Sequence, residues 1–254
     1  MKSWISILLF SVSGALAFSG CAVLNPLVQD FNIISLSQER VIGQQMSEQV
    51  ASELSLSSDP QLNQVVSSIG QKLVAELPHK DFDYRFFVVN DPSPNAFTIP
   101  GGYIYVHTGL LQFSDGPAEV AGVLGHEIGH AYERHPTKGM SRTYGIDALT
   151  GLVLKSNPTK LRSMTLQLAK GGVTSKYGRD DEREADEIGF YLAERSGFGT
   201  DGLLHFLRKL ESLTSGSDTP AFLQSHPSTP ERVAKLESLQ EGGSAQFVTN
   251  GLAG

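Results

Sequence analysis

Residues 117–133 read PAEVAGVLGHEIGHAYE, and the fold turns on them. Val120, Val123, Leu124 and Ile128 keep the stretch apolar, so it reads as one long helix from about Pro117 to Glu133. Inside it, His126-Glu127-Ile128-Gly129-His130 forms HExxH. Residues i and i+4 share a helix face. Both imidazoles can therefore bind one Zn²⁺ while Glu127 points beside them toward a metal-bound water. Two His and a Glu on a largely buried helix are costly without a metal or partners.

A catalytic zinc takes a third protein ligand and keeps an open position. No His lies six residues after His130, which excludes the metzincin pattern. His135 is five residues on, rotated off the ligand face, and reads as a supporting residue. The next acidic cluster is Asp180-Asp181-Glu182-Arg183-Glu184-Ala185-Asp186. Such a run also suits a solvated helix start, favoured by the dipole. Glu182 and Asp186 nonetheless stand i, i+4 on one face, continued by Gly189. One carboxylate there can ligate zinc while the other holds a ligand imidazole by its second N–H. Spacing alone does not choose Glu182 over Glu184.

The flanking sequence frames this pair. Ser35 and Gln38 form a capping box ahead of Ile42, Met46, Val50 and Leu54. Asp59-Pro60 opens a second helix, ended by Pro78. Tyr84 to Val89 reads as a strand. Ala96 to Ile99 and Tyr103 to Val106 flank Pro100-Gly101-Gly102 as a strand–turn–strand unit, and Pro100 places it at a sheet edge. Residues 138–175 mix helical stretches with Gly and Asn-Pro breaks. A helix from about Asp181 ends at Ser196-Gly197. Thr200 caps the next, with Leu203, Leu204, Leu207 and Leu210 apolar. Ser228, Pro230 and Glu231 open a last short helix.

The 254 residues are about 40% apolar, enough for a full-sized core. Lys plus Arg number 20 against 27 Asp plus Glu, a net charge of −7. No long basic run is present, which argues against a nucleic-acid partner. The single Cys excludes an intramolecular disulfide, a thiolate zinc cage and a CxxC redox pair. P-loop, GxGxxG and GxSxG signatures are absent.

That Cys sits at an informative place. Lys2 and the apolar Trp4 to Phe18 resemble a signal peptide, too short for a comfortable membrane span. Ala17-Phe18-Ser19-Gly20-Cys21 resembles a bacterial lipobox, with Phe18 where Leu is commoner. The expected organisation is a signal peptide over 1–20 and a lipidated Cys21 with a tether over 21–34. A body over 35–241 and a disordered Gly/Ser-rich tail over 242–254 complete it. Acyl chains on Cys21 would hold the chain on a membrane. Ala22, where Asp usually signals inner-membrane retention, points to the outer membrane facing the periplasm.

HEIGH followed by Arg134-His135, with Glu182-xxx-Asp186 about fifty residues on, resembles the gluzincin metallopeptidases of the HtpX, CAAX prenyl protease, BepA and LoiP group. Two further segments resemble that family: Asn95-Ala96-Phe97-Thr98-Ile99-Pro100-Gly101-Gly102 and His226-Pro227-Ser228-Thr229-Pro230-Glu231-Arg232. Size and lipobox are most similar to the LoiP-like lipoproteins. The resemblance implies an α+β fold: a mainly helical zincin-type domain with a small sheet whose edge strand borders the active-site cleft. It also implies one Zn²⁺ per chain on His126, His130 and Glu182, with Glu127 as general base and Asp186 orienting a ligand His. His226 would be able to reach the metal and hold the enzyme latent. Arg232 would pair with the acidic residues or stabilise an oxyanion. A substrate strand would add to an exposed edge at Asn95, Ala96 and Phe97. The expected activity is a membrane-tethered zinc endopeptidase acting on unfolded or misassembled envelope proteins. The alternative is a latent chaperone or assembly factor for outer-membrane proteins.

Overall fold

A computed structural model describes residues 31–144, 157–169, 177–213 and 219–242, with Leu149 and Gly151. The signal peptide, Cys21 and the Gly/Ser-rich tail beyond Gly242 lie outside the described residues. Asn32–Gly254 is one compact unit; of the other, Met1–Phe31, only Phe31 is described.

Helix α1 (Leu36–Glu53) starts where the capping box places it. Ser35 Oγ accepts from Gln38 N, and Gln38 Oε1 accepts from Ser35 N at 2.9 Å. Ile42, Met46 and Val50 form its buried face. Helix α2 (Pro60–Ala75) is capped by Asp59, whose Oδ1 accepts from Gln61 N and Leu62 N. Strands β1 (Arg85–Val89), β2 (Ala96–Ile99) and β3 (Tyr103–His107) form one sheet in the order β1-β3-β2. β1 runs parallel to β3, with Phe87 beside Tyr105; β2 runs antiparallel, with Phe97 beside Tyr105. Gly101 and Gly102 turn β2 into β3 at φ of 82° and 83°, a region that favours glycine.

The pleat divides the sheet between two cores. Ala96, Ile104 and Val106 join α2, α4 (Pro117–Tyr132), α7 (Arg179–Arg195) and α8 (Gly202–Ser212). Phe97, Ile99, Tyr103 and Tyr105 face the other way, onto α1, α5 (His135–Thr143) and α6 (Pro158–Ala169). Helices α3 (Thr108–Phe113), α9 (Ala221–Ser225) and α10 (Pro230–Gly242) complete the described elements.

Three details differ from the sequence reading. β2 is an edge strand, but all four of its residues are buried, because α4 packs on it and α6 lies against it from a remote part of the chain. The edge expected to be exposed is covered. The cap of α8 is Asp201 rather than Thr200. α7 begins two residues early, at Arg179, because Asp181 Oδ2 folds back to accept from Gly178 N at 3.0 Å. Between α4 and α5 the backbone turns at Arg134, which has a φ of 59°. Its guanidinium donates to Glu39 Oε2 at 2.6 Å and to Ile34 O at 2.5 Å, tying the turn to α1 and to the segment before it.

Candidate active site

Two helices build the site by close approach. A Cβ on Gly129 would meet Ala185 Cα at 2.8 Å, and one on Gly189 would meet His126 N at 2.7 Å. Without side chains at these points α4 and α7 nearly touch. The Glu182/Asp186 face of α7 is thereby laid against His126 and His130. The loop between α9 and α10 adds His226 and leads into Arg232. His126, Glu127, His130, Glu182, Asp186, His226 and Arg232 are all buried.

Three imidazoles converge on one point. His126 Nε2 lies 3.0 Å from His130 Nε2 and 3.1 Å from His226 Nδ1. Glu182 Oε1 lies 3.4 Å from His130 Nε2 and 3.0 Å from His226 Nδ1, and Oε2 lies 3.5 Å from His126 Nε2. Glu127 stands beside the group. Its Oε2 accepts from Thr98 Oγ1 at 2.8 Å, and its Oε1 lies 3.3 Å from His226 Nε2. Asp186 Oδ1 lies 2.9 Å from His126 Nδ1, on the far side of that ring. Arg232 holds both Asp186 oxygens at 2.7 Å and reaches Glu182 Oε2 at 2.6 Å.

Charge follows from this arrangement. Burial pushes the Glu182 carboxyl up, but His226 and Arg232 beside it outweigh burial and hold it well below the usual carboxylate range. Asp186 is likewise lowered: burial opposes, and the Arg232 guanidinium prevails. Burial, with His126 adding, holds His130 well below the ordinary imidazole value, which leaves a neutral ring with a free lone pair.

The donor set fits a metal. Four ligand atoms, from His126, His130, Glu182 and His226, lie within 4.8 Å of one another. Ligands about 2.0–2.1 Å from a tetrahedral Zn²⁺ stand about 3.3–3.4 Å apart. The observed separations, 3.0 to 3.5 Å, bracket that edge. His126 Nε2 faces two other ring nitrogens and a Glu182 oxygen, so several lone-pair donors crowd one point that a cation would serve at once.

Comparison with known proteins agrees. The model of peptidase family M48 matches residues 58–240. The chain belongs to peptidase family M48. The chain is 31% identical over 212 residues to the beta-barrel assembly-enhancing proteases of Yersinia pestis and Escherichia coli (strain K12), covering 79% of this chain and 43% of theirs. It therefore spans less than half the length of those relatives. It is also 32% identical over 157 residues to metalloprotease YcaL of Escherichia coli (strain K12), covering 61% of this chain and 60% of that one. The mitochondrial metalloendopeptidase OMA1 of Schizosaccharomyces pombe is 28% identical over 211 residues, covering 82% and 62%.

The structure separates two residues that spacing left equal. Glu182 points into the His cluster. Glu184 points to His135, with Oε2 at 3.2 Å from its Nε2, and its side chain is 45% exposed. Arg232 lies against the acidic pair Glu182 and Asp186. Two aromatic residues near the cluster were not legible in the sequence. The Tyr177 ring stacks on His130 at 3.9 Å between centroids, and Phe222 stacks on His226 at 4.6 Å. Burial, with Glu127, Glu182 and Asp181 nearby, pushes the Tyr177 phenol well above its usual value. Tyr177 reaches His130 from a distant segment, which no spacing marks, whereas Phe222 stands i, i+4 from His226 at the end of α9.

Proposed function

We propose that this metallopeptidase is a zinc endopeptidase in which His126, His130 and Glu182 hold the metal, Glu127 is the general base and Asp186 orients His126. The observation that carries the reading is the buried convergence of three imidazoles and Glu182 beside Glu127, whose Oε1 faces the cluster with no hydrogen bond of its own. A zinc ion held by His126, His130 and Glu182 would supply Lewis acidity, polarising a peptide carbonyl and lowering the pKa of water toward neutrality. Glu127 accepts the proton of the attacking water and delivers it to the leaving amine. Thr98, bonded to Glu127 Oε2, leaves Oε1 turned toward the cluster for that transfer. Arg232 keeps Asp186 and Glu182 ionised.

The substrates in this reading are unfolded or misassembled envelope proteins, docking an extended segment along Asn95, Ala96 and Phe97. Main-chain pairing of that kind tolerates varied sequence. It requires the elements covering β2 to move aside. The tether is lipid on Cys21, which places the enzyme at the outer membrane facing the periplasm. The lipobox-like sequence supports this, as do relatives named for assisting β-barrel assembly. Among the described residues no helix is long and apolar enough to cross a membrane.

One observation favours the second reading, a latent assembly factor. His226 Nδ1 sits in the ligand group, and a fourth protein ligand leaves no open position. Casein digestion by zinc-loaded wild type, Glu127→Gln and His226→Ala tests both. Cleavage that rises in His226→Ala and vanishes in Glu127→Gln supports a latent endopeptidase. No cleavage by wild type or His226→Ala would favour the assembly factor, and an active Glu127→Gln would overturn the general-base assignment.

A further inference from the structure

His126 and His130 are supported differently, and the difference assigns work to two residues outside the ligand set. Behind His126 stands a carboxylate, Asp186, at 2.9 Å from Nδ1. Behind His130 stands another imidazole: His130 Nδ1 lies 2.9 Å from His135 Nδ1. His135 is fully buried. Its Nε2 lies 3.2 Å from Glu184 Oε2 and 3.7 Å from Asp181 Oδ1. Asp181 is already engaged by Arg142 at 2.7 Å and by Gly178 N. Glu184 is thus the nearer acceptor for His135.

Only one placement of protons suits this chain of groups. A His130 ring that offers its Nε2 lone pair to the cluster carries its proton on Nδ1. That proton needs an acceptor, which is His135 Nδ1. His135 then carries its own proton on Nε2 and donates it to Glu184. Each link fixes the tautomer and orientation of the ring before it. The α7 helix supplies both supports: Glu182 and Asp186 on one face serve the metal group and His126, while Glu184 serves His135. The αL turn at Arg134 is what brings His135 back beneath His130.

We infer that His135 and Glu184 form a positioning relay that fixes the tautomer and orientation of His130 for metal binding. The inference rests on the metal site proposed above. Zinc affinity, measured by competition with a chromogenic chelator on the full chain, tests it without any assay of turnover. His135→Leu, which fills the space but accepts no proton, is expected to weaken zinc binding about 10- to 100-fold. His135→Asn, which can accept from His130 and donate to Glu184, is expected to restore most of that affinity. Glu184→Ala is expected to weaken binding severalfold while still filling one site per chain, and Glu182→Ala to weaken it more. Should His135→Leu not fold, the partly exposed Glu184→Ala decides alone. Wild-type affinity in His135→Leu, or in Glu184→Ala where the other is unfolded, would overturn the relay. So would loss of zinc from Glu184→Ala with retention in Glu182→Ala, which would make Glu184 a ligand. A wild type that binds no zinc would instead remove the metal site itself.

Discussion

At the residue scale, the site is held by charges that burial would normally forbid. Arg232, Asp186 and Glu182 are taken out of water together, and each satisfies the next. Removing one partner of such a group costs about 3–5 kcal/mol, because the others are left buried and unpaired. Arg232→Met should therefore lower the stability of the metal-free protein by that order in urea unfolding at pH 7. The pH dependence has a definite sign. Asp186 and Glu182 have folded pKa values depressed below their unfolded ones. Their contribution is present above the unfolded values, about 3.9 and 4.3, and is lost as pH falls through the folded values. The gap between wild type and Arg232→Met should narrow progressively below about pH 4; an unchanged gap would contradict the ion-pair account. Glu127 is a different case: Glu127→Gln should keep zinc and lose about a hundredfold or more of casein hydrolysis. HExxH declared His126, Glu127 and His130 in the sequence because one helix carries all three. Spacing alone did not choose Glu182 over Glu184, since that depends on how α7 is rotated against α4; the family resemblance did.

At the scale of elements, that rotation is set by glycine. Gly125, Gly129 and Gly189 let α4 and α7 approach until a single methyl group would collide with backbone. Gly129→Ala should cost about 1–3 kcal/mol, the usual penalty of overpacking. It should also loosen zinc binding, because Gly129 lies between the two histidines. Gly116→Ala is the matched control: nothing lies within 4 Å of a Cβ there, and its φ of 173° is open to any residue. Equal melting temperatures for the two variants would argue against the close-packing account. Helix positions were well forecast where a cap stood next to an apolar period, as at Ser35 and Asp59. The burial of β2 was not, because its cover comes from α6, more than fifty residues away. Local sequence marks Pro100 as an edge and carries no record of what lies over it.

At the scale of the whole molecule, two cores share the sheet, and the His/Glu cluster lies between helices that belong to one of them. Binding to the folded state alone stabilises by mass action, about 2.7 kcal/mol at a hundredfold excess over Kd. Zinc should therefore raise the melting temperature, and a chelator should lower it to that of a His126→Ala/His130→Ala double variant. A chelator that lowers wild type and double variant alike would assign the metal's effect to some other place.

The most direct test of the central claim, that the HExxH helix and α7 together hold a metal, is the zinc content of the purified protein by elemental analysis. It would be measured on wild type and on the His126→Ala/His130→Ala variant after identical exposure to zinc and removal of excess. The account predicts about one zinc per wild-type chain and none in the variant. Zinc retained in the double variant, or absent from wild type, would contradict it.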